Sequence, residues 1–303
     1  MYDPSDIASQ VSSDPLVSVL CLTYKHERFI EQALQGFVSQ QTSFSFEVLI
    51  GDDASPDATP TILRDYATRY PFVLFPELHS QNRGSGENMK SIVKRIRGRY
   101  VCVCDGDDYW TDPLKLQKQV DFLESHPECS MCFHNITTTY DDGSRPDEAV
   151  DSLSTYAHLF KGRDHLTLPD ILWLNPIASL SVMYRWRLGT ELPEWIFRHT
   201  VIDLSFHLLH ADAGNIGFVN EAMGVYRRHS GGAWWGHETL EHKKKTLSDF
   251  IALLSEANEH MRKRHDEHFS PLLSYLRNDF ATLRDPSCLD RIKRRLKSWF
   301  AKP

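Results

Sequence analysis

The segment Tyr100-Val-Cys-Val-Cys-Asp-Gly-Asp-Asp108 joins an apolar run directly to three carboxylates. The first five residues predict a buried β-strand, so Asp105-Gly-Asp-Asp108 follows the end of that strand. Carboxylates this close together raise one another's pKa unless a cation or hydrogen-bond donors offset their charge. Hard divalent ions such as Mg²⁺ and Mn²⁺ prefer oxygen ligands, and the cluster therefore indicates a metal site. The alternative is an acidic turn that caps the following helix.

Strand and helix patterns alternate on both sides of this segment. The predicted strands, which are short apolar runs, are Val17–Leu22, Phe46–Ile50, Val73–Phe75 and Tyr100–Cys104. The predicted helices are residues 27–40, a helix that starts at Pro56 with Ser55 as its N-cap, and residues 114–125. This alternation implies βαβ units, and we therefore predict an α/β fold with a mainly parallel sheet.

Polar residues follow three of these strands at the point where each strand ends. They are Thr23-Tyr24, Asp52-Asp53 and the aspartate cluster. In open parallel sheets, ligands bind beyond the carboxyl ends of the strands. We therefore expect these three groups to converge on one binding site.

The second half of the chain carries weaker patterns. Residues 136–170 are polar and interrupted by glycine and proline, which favours an excursion over the surface. Ser179–Tyr184 is predicted as a strand, Ile202–Ala211 as a helix, and residues 238–283 as mostly helical.

The composition is that of an ordinary globular protein and argues against several functions. The 303 residues carry a net charge of −7, which disfavours nucleic acid as the main partner. No stretch approaches the ~20 apolar residues that span a bilayer, and the first fifteen residues lack the features of a secretory signal. Cys129 and Cys132 form a C-x-x-C without a second pair. We therefore interpret the six cysteines as structural thiols in a reducing cytosol rather than as a zinc or redox site.

Several segments, in this order along the chain, resemble the family 2 glycosyltransferases with the GT-A fold. They are Val17-Ser-Val-Leu-Cys-Leu-Thr-Tyr24, Gly51-Asp-Asp-Ala-Ser55, Asp105-Gly-Asp-Asp-Tyr-Trp110, residues 112–123, and Val225-Tyr-Arg-Arg-His-Ser-Gly-Gly232. The resemblance covers roughly residues 15–235 and is closest to the branch found in bacterial surface-polysaccharide clusters, such as those for capsule or O-antigen.

This resemblance implies a GT-A α/β/α sandwich with a mainly parallel mixed sheet. The catalytic domain would be residues 15–235, with a nucleotide-binding half at 15–135 and an acceptor half at 136–235. A flexible N-terminus (1–14) would precede it, and a helical region (236–303) would follow. The implied reaction is metal-dependent, inverting transfer of a hexose-type sugar from a UDP- or dTDP-type donor to a hydroxyl acceptor.

The resemblance also implies roles for individual residues. Asp107 and His229 would hold Mn²⁺ or Mg²⁺. Donor binding would involve Thr23, Tyr24 and Glu27 at the opening of the nucleotide pocket, Asp52 and Asp53 near the base, Asn82 and Gly84 in an Asn-x-Gly segment, Asp105 near the ribose, and Arg227 and Arg228 near the diphosphate. Two of these assignments have structural alternatives: Asp52 could cap the next helix, and His229 could be a surface histidine.

An inverting transfer needs a general base, and the resemblance favours Asp203 at the start of a helix in the acceptor half. Glu221 and Asp212 are lesser candidates, and a purely structural acid at the helix N-terminus is the alternative. Trp234 and Trp235, which follow two glycines, could form a lid or a platform on which a sugar stacks.

The C-terminal tail at residues 287–303 combines apolar and basic side chains at helical spacing. A basic amphipathic helix suits the surface of an anionic membrane, and many acceptors in the family are lipid-linked. We therefore expect a cytoplasmic protein with peripheral contact to the inner face of the membrane, although a helix packed on the domain fits the same pattern. An inactive sugar-nucleotide-binding scaffold and a nucleotidyltransferase of similar fold are the alternative functions.

Overall fold

A computed structural model describes residues 14–282 apart from 142, 144–145, 151–156, 161, 174 and 233–238. Nearly all of the predicted N-terminal segment 1–14, the residues Trp234 and Trp235, and the basic tail 287–303 lie outside the described residues. The strands are β1 Val17–Thr23, β2 Phe46–Asp52, β3 Leu74–Leu78, β4 Tyr100–Val103, β5 Tyr109–Trp110, β6 Cys129–Tyr140, β7 Glu148–Val150, β8 His165–Leu166, β9 Met183–Arg185 and β10 Asn215–Arg228. The helices are α1 Ile30–Val38, α2 Thr59–Arg69, α3 Ser85–Val93, α4 Lys115–Ser125, α5 Ala157–Phe160, α6 Leu168–Trp173, α7 Ile202–Ala211, α8 Leu240–His260 and α9 Asp266–Thr282.

The strands form one mixed sheet in the order β3-β2-β1-β4-β9-β6-β10-β5, with β7 paired to β6 and β8 paired to β10. Strands β1 to β4 are parallel to their neighbours within that group. Strand β9 is antiparallel to both β4 and β6 and joins this parallel half to the pair β6 and β10. The predicted α/β fold with a mainly parallel mixed sheet is therefore confirmed.

Helices cover both faces of the sheet, which explains why the central strands are apolar throughout. Along β1, Leu20 belongs to one apolar core while Val19 and Cys21 belong to the other, because successive side chains point to opposite faces. Helices α1, α2 and α4 contribute to the core that contains Val19, and α3 and α6 to α9 contribute to the core that contains Leu20. Complete burial of one such side chain contributes about 1.5–3 kcal/mol to folding.

The predicted start of α2 is wrong by three residues. The helix begins at Thr59 rather than at Pro56. Ser55 does not cap it, because the Ser55 N–H and hydroxyl both donate to the carboxylate of Asp52 at 3.1 and 2.6 Å. The Ser55 hydroxyl is therefore already hydrogen-bonded within this turn and does not cap α2. The prediction for residues 27–40 is closer, since α1 runs from Ile30 to Val38.

The prediction of a surface excursion at 136–170 is also wrong, because β6 continues to Tyr140 and the short elements β7, α5, β8 and α6 follow. Residues 179–184 are only partly extended: Ser179–Ser181 forms a 3₁₀ helix, and β9 begins at Met183. Among the longer elements, α3, β6 and β10 were not predicted. The helical prediction for residues 238–283 corresponds to α8 and α9.

The five cysteines among the described residues are free and buried. Cys129 and Cys132 both belong to β6, where burial raises the pKa of each thiol. Both side chains therefore stay protonated and pack as small apolar groups, as the sequence predicted. No helix in the described part of the chain has the length and apolar character needed to cross a bilayer.

Helix α8 is fastened to the segment that precedes α7 by one buried imidazole. His199 meets Asp249 Oδ1 through Nδ1 at 2.9 Å and Glu256 Oε2 through Nε2 at 2.7 Å. The Thr200 N–H donates to the other oxygen of Asp249 at 2.7 Å, and Arg198 pairs with Glu256 at 2.6 Å. We call this group the His199 clamp. It fixes the backbone immediately before Ile202, the first residue of α7.

Candidate active site

A cavity of about 430 Å³ opens beyond the carboxyl ends of β1 and β4. Its walls come from the residues after β4, from α3 and β6, from the loop at 175–179, from the start of α7, and from the end of β10. The side chains that bear on its chemistry are Asp105, Asp107, Asp108, His134, Asp203, Arg227, Arg228 and His229. Residues far apart in the sequence thus share one cavity, because the sheet aligns the strand ends that carry them.

Six of the predicted site residues line this cavity, and seven do not. The six are Asp105, Asp107, Asp203, Arg227, Arg228 and His229. The seven are Thr23, Tyr24, Glu27, Asp52, Asp53, Asn82 and Gly84, which lie near the ends of β1 and β2 or in the loop before α3. The metal and base candidates therefore share a cavity, and the nucleoside candidates lie outside its walls.

Asp107 is the ionised member of the aspartate cluster. Its Oδ2 lies 3.1 Å from His229 Nε2 and 3.7 Å from His26 Nε2. Burial alone would raise the pKa of Asp107, but the hydrogen bond from His229 and the electrostatic attraction of the His26 and His229 imidazoles outweigh that effect and lower the pKa. The backbone is held as well, because the Arg227 guanidinium donates to the Asp107 carbonyl oxygen.

The two neighbouring aspartates behave differently from Asp107. Burial, followed by the negative charge of Asp107, raises the pKa of Asp105 to about 7 and the pKa of Asp108 well above its usual value. Asp105 accepts the Leu22 N–H at 3.3 Å and stays partly exposed to the cavity. Asp108 is 2% exposed and accepts the Arg227 N–H at 2.8 Å, so it ties the cluster to β10.

His229 and the two arginines reach the cavity from the end of β10. His229 is only 6% exposed, and its ring packs on Phe29 with centroids 4.6 Å apart, so the alternative of a surface histidine is wrong. The Arg227 guanidinium lies between the rings of Phe29 and Tyr109, at 4.9 and 4.8 Å from their centroids. Both aromatic rings stabilise its positive charge beside the aspartates.

Three side chains in the cavity, those of Asp105, Asp107 and His229, are suitable ligands for a hard divalent ion that also binds a substrate. Asp107 supplies an ionised oxygen, His229 a nitrogen 3.1 Å from it, and Asp105 a second carboxylate on the same cavity wall. A cation would relieve the repulsion that raises the pKa of Asp105. Within the described ranges, no group of three or more His, Cys, Asp and Glu side chains could hold an ion by itself. The remaining ligands would have to come from water or phosphate oxygens, as is usual for Mg²⁺.

Asp203 lies in the first turn of α7 and faces the same cavity. Its Oδ1 accepts the Leu204 N–H at 2.8 Å, and burial raises its pKa to about 6. A carboxylate with this pKa is a suitable general base near neutral pH. The lesser candidates are already paired, Glu221 with Lys118 and Asp212 with Arg264 and His265, and neither lines the cavity.

The structure also brings together residues predicted for the nucleoside. The Asp53 carboxylate accepts the N–H groups of Arg83 and Gly84 at 2.7 and 2.8 Å, and the Asn82 side chain donates to the Asp53 carbonyl oxygen at 3.2 Å. Gly84 adopts φ 84°, a left-handed conformation that glycine enters without strain. Asp53, Asn82 and Gly84 thus form one rigid turn beside the end of β2, and their contact with a nucleoside stays a prediction.

Four other predicted residues have local roles or remain accessible. Asp52 closes the turn to Ser55, and Glu27 accepts the Ala58 N–H at 2.9 Å at the start of α2. Thr23 is 2% exposed and its hydroxyl has no hydrogen-bond partner, whereas Tyr24 is 38% exposed. The alternative that Asp52 caps the next helix is wrong, because α2 begins at Thr59 without a side-chain cap and Asp52 bonds Ser55 instead.

Sequence reasoning assigned no individual role to three residues at or near this site. His26 lies between Tyr24 and Glu27, so its place in the motif was the available signal. Asp108 belongs to the quoted aspartate cluster, but its pairing with β10 could not be foreseen. His134 lines the cavity from β6, and its segment carries no motif that predicts such a position.

We expect an Asp105→Asn variant to be more stable than the wild type at high pH. The pKa of Asp105 is raised from 3.8 to about 7 in the folded protein, so stability is lost as the pH rises from about 4 to 7. Asparagine keeps the oxygen that accepts the Leu22 N–H but carries no charge. Urea unfolding without metal should show a gain of about 2 kcal/mol at pH 8, reduced from the full shift because Asp105 is partly exposed.

That gain should disappear near pH 3, below the unfolded-state pKa of 3.8, where Asp105 is largely protonated in both states. An Asp121→Asn variant, altered at an exposed position on α4, is the control and should show no pH-dependent difference. Equal stability of Asp105→Asn and the wild type at pH 8 would contradict the assignment of a raised pKa.

Comparisons with known proteins agree with the expectation drawn from the motifs. A model of the family described as "Glycosyl transferase family 2" matches residues 18–145. An uncharacterised protein of Mycobacterium tuberculosis is 40% identical over 230 residues, which cover 76% of this chain and 63% of the relative. The putative teichuronic acid biosynthesis glycosyltransferase TuaG of Bacillus subtilis is 30% identical over 172 residues, which cover 56% of this chain and 62% of TuaG. The matched part of the chain thus spans less than two thirds of either relative.

Two solved structures share the fold at low sequence identity. The S. aureus TarS 1–349 structure in complex with UDP has a TM-score of 0.55 at 19% identity, covering 84% of this chain and 72% of TarS 1–349. The mannosyltransferase PcManGT from Pyrobaculum calidifontis, in complex with GDP-Man and Mn²⁺, has a TM-score of 0.54 at 14% identity. That likeness covers 95% of this chain and 84% of PcManGT.

Proposed function

We propose that this chain, whose residues 18–145 match glycosyl transferase family 2, is a metal-dependent, inverting glycosyltransferase. It would move a sugar from a nucleoside diphosphate donor to a hydroxyl acceptor. The GT-A fold expected from the motifs is confirmed by the mixed sheet and by the solved structures that share it. The observation that carries the proposal is that one cavity is lined both by ionised Asp107, beside His229, and by Asp203.

The departing diphosphate would be stabilised at the Asp107 side of the cavity. Asp107 and His229 would hold Mn²⁺ or Mg²⁺, and the ion would supply a Lewis acid for the leaving oxygens. Arg228 lines the same cavity, and its fixed positive charge would attract the diphosphate. Arg227 is held between two rings, and its backbone N–H keeps the cluster against β10.

Asp203 would act on the acceptor. Its carboxylate would take the proton from the acceptor hydroxyl while that oxygen attacks C1 of the sugar. The bond from C1 to the diphosphate oxygen would break on the opposite face, which inverts the configuration in one step. No covalent enzyme intermediate is required.

The nature of the substrates is supported by the named relatives. TarS is described in complex with UDP and PcManGT with GDP-Man and Mn²⁺, which supports a nucleoside diphosphate donor and a metal. We propose a UDP- or dTDP-type donor. The name of TuaG supports a role in bacterial surface polysaccharide, with a glycan or lipid-linked acceptor. Cytoplasmic location and membrane contact through residues 287–303 belong to the same proposal.

A panel of nucleotide sugars tests this function. Thermal stabilisation should appear with one donor class and only when Mn²⁺ or Mg²⁺ is present, and the same donor should be hydrolysed slowly without an acceptor. Chelation of the metal should remove both effects. Binding without any turnover would favour an inactive scaffold, and release of pyrophosphate from a nucleoside triphosphate and a sugar phosphate would favour a nucleotidyltransferase.

A further inference from the structure

His26 is held rigidly in the loop between β1 and α1. Its backbone N–H donates to the Thr59 hydroxyl at 3.0 Å, and its carbonyl oxygen accepts the N–H groups of Phe29 and Ile30, both at 2.8 Å. Lys25, just before it, adopts φ 58°, a left-handed conformation that is uncommon for a side chain of this size. The loop is thus anchored to the starts of both α1 and α2, and the imidazole position follows from the backbone.

The ring is almost enclosed, and one of its nitrogens is directed toward Asp107. The His26 side chain is 14% exposed, and its Nε2 lies 3.7 Å from Asp107 Oδ2. The same oxygen is 3.1 Å from His229 Nε2, so it meets two imidazoles but bonds well to only one. The two rings stand nearly perpendicular, with centroids 6.3 Å apart.

The other ring nitrogen limits the tautomer. His26 Nδ1 is buried and has no hydrogen-bond partner. A proton on Nδ1 would be a buried donor without an acceptor, which costs about 1–3 kcal/mol. The neutral ring therefore carries its proton on Nε2, which lies 3.7 Å from the carboxylate oxygen of Asp107. His26 is thus a donor directed toward anionic oxygen.

His26 lies where the diphosphate of the proposed donor would be bound. His26 does not line the cavity, and it approaches Asp107 from the loop after β1, which also carries Tyr24. In the proposed function, the nucleoside occupies the strand ends near that loop and the sugar occupies the cavity. The diphosphate joins the two, so it must cross beside Asp107.

We propose that His26 is a diphosphate-binding residue, donating its Nε2–H to a phosphate oxygen of the sugar nucleotide beside Asp107 and His229. This inference rests on the proposed function. Nε2 is 3.7 Å from a carboxylate oxygen of Asp107, too far for a good hydrogen bond. A phosphate oxygen would complete it, and such charge-assisted bonds are the stronger class.

The test uses Mn²⁺ with inorganic pyrophosphate as the probe and calorimetry on the full chain. His26→Met and His26→Gln are matched, since both are unbranched side chains of similar size and only glutamine has an N–H to donate. We expect His26→Met to weaken pyrophosphate binding about tenfold, which corresponds to one charge-assisted hydrogen bond. We expect His26→Gln to keep most of the affinity. His268→Ala, at a histidine 41% exposed on α9, is the control and should change nothing.

Thermal melts establish that both variants are folded, and Mn²⁺ affinity without pyrophosphate is measured by electron paramagnetic resonance. Three results would overturn the role of His26: full affinity in His26→Met, equal losses in both variants, or loss of Mn²⁺ binding alone, which would make His26 a metal ligand. If the wild type does not bind pyrophosphate with Mn²⁺ at all, the proposed function itself fails.

Discussion

An Asp107→Asn variant should lose donor turnover by about a thousandfold or more. Asp107 is the one member of its cluster whose pKa is lowered, so it alone presents a full negative charge to a cation. Asparagine fills the same space but supplies a neutral oxygen, which binds a hard divalent ion weakly. The loss corresponds to the several kcal/mol by which a bound metal stabilises the charge of a transition state.

The measurements are the rate of sugar-nucleotide hydrolysis at saturating Mn²⁺ and the calorimetric affinity for Mn²⁺ with pyrophosphate. Both should fall together, since one carboxylate serves both. Asp121→Asn, an exposed aspartate on α4, is the control and should behave as the wild type. Turnover within threefold of the wild type in Asp107→Asn would remove the metal from the proposed mechanism.

An Asp203→Asn variant should lower kcat by about 10² to 10⁴, the range expected for removal of a general base. The KM for the donor should change little, because Asp203 would act on the acceptor hydroxyl. Burial raises the pKa of Asp203 to about 6, and a base must be deprotonated to work. Wild-type transfer should therefore increase as the pH rises through about 6, and the remaining activity of Asp203→Asn should lack that step.

The comparison variant is Glu221→Gln, which alters a half-exposed carboxylate that pairs with Lys118 outside the cavity. It should keep the wild-type kcat and the same dependence on pH. If the step near pH 6 persists in Asp203→Asn, or if both variants lose activity equally, another group is the base. Hydrolysis of the donor by water should be affected less than transfer, since the acceptor is then absent.

The parallel half of the fold could be predicted from the sequence because its strands are buried on both faces. The strands β1, β2 and β4 are nearly continuous apolar runs, and such runs keep their pattern whatever surrounds them. Each is followed by polar residues, which explains why the site could be placed at their ends. The aspartate cluster was located correctly for this reason.

Elements that depend on distant partners could not be predicted. Helix α3 contains Gly86 and several polar residues, and its carboxyl-terminal half alone packs into the core. Strand β10 pairs with β6 through register shifts between Val219 and Gly224, and these irregularities destroy the alternation that would reveal a strand. The prediction that Ser55 caps α2 is wrong for a local reason, because the Ser55 N–H and hydroxyl both donate to the Asp52 carboxylate.

The chemistry of the site was also predictable only in part. Asp107, Asp203 and His229 came from motifs and share one cavity. The unequal charge states of Asp105, Asp107 and Asp108 could not be read from the sequence, because they depend on burial and on imidazoles from two other segments. His26 was overlooked although its neighbours were named, since only the folded loop directs its ring toward Asp107.

The His199 clamp sets a lower limit on the size of a working fragment. Every described side chain that lines the cavity lies before residue 233, yet the carboxylates that hold His199 belong to α8 at Asp249 and Glu256. A chain shortened to residue 232 would keep the cavity residues and lose the support beneath the turn that carries Asp203. A chimera with a relative would have to exchange α8 together with α7, because the His199 clamp joins α8 to the segment before α7.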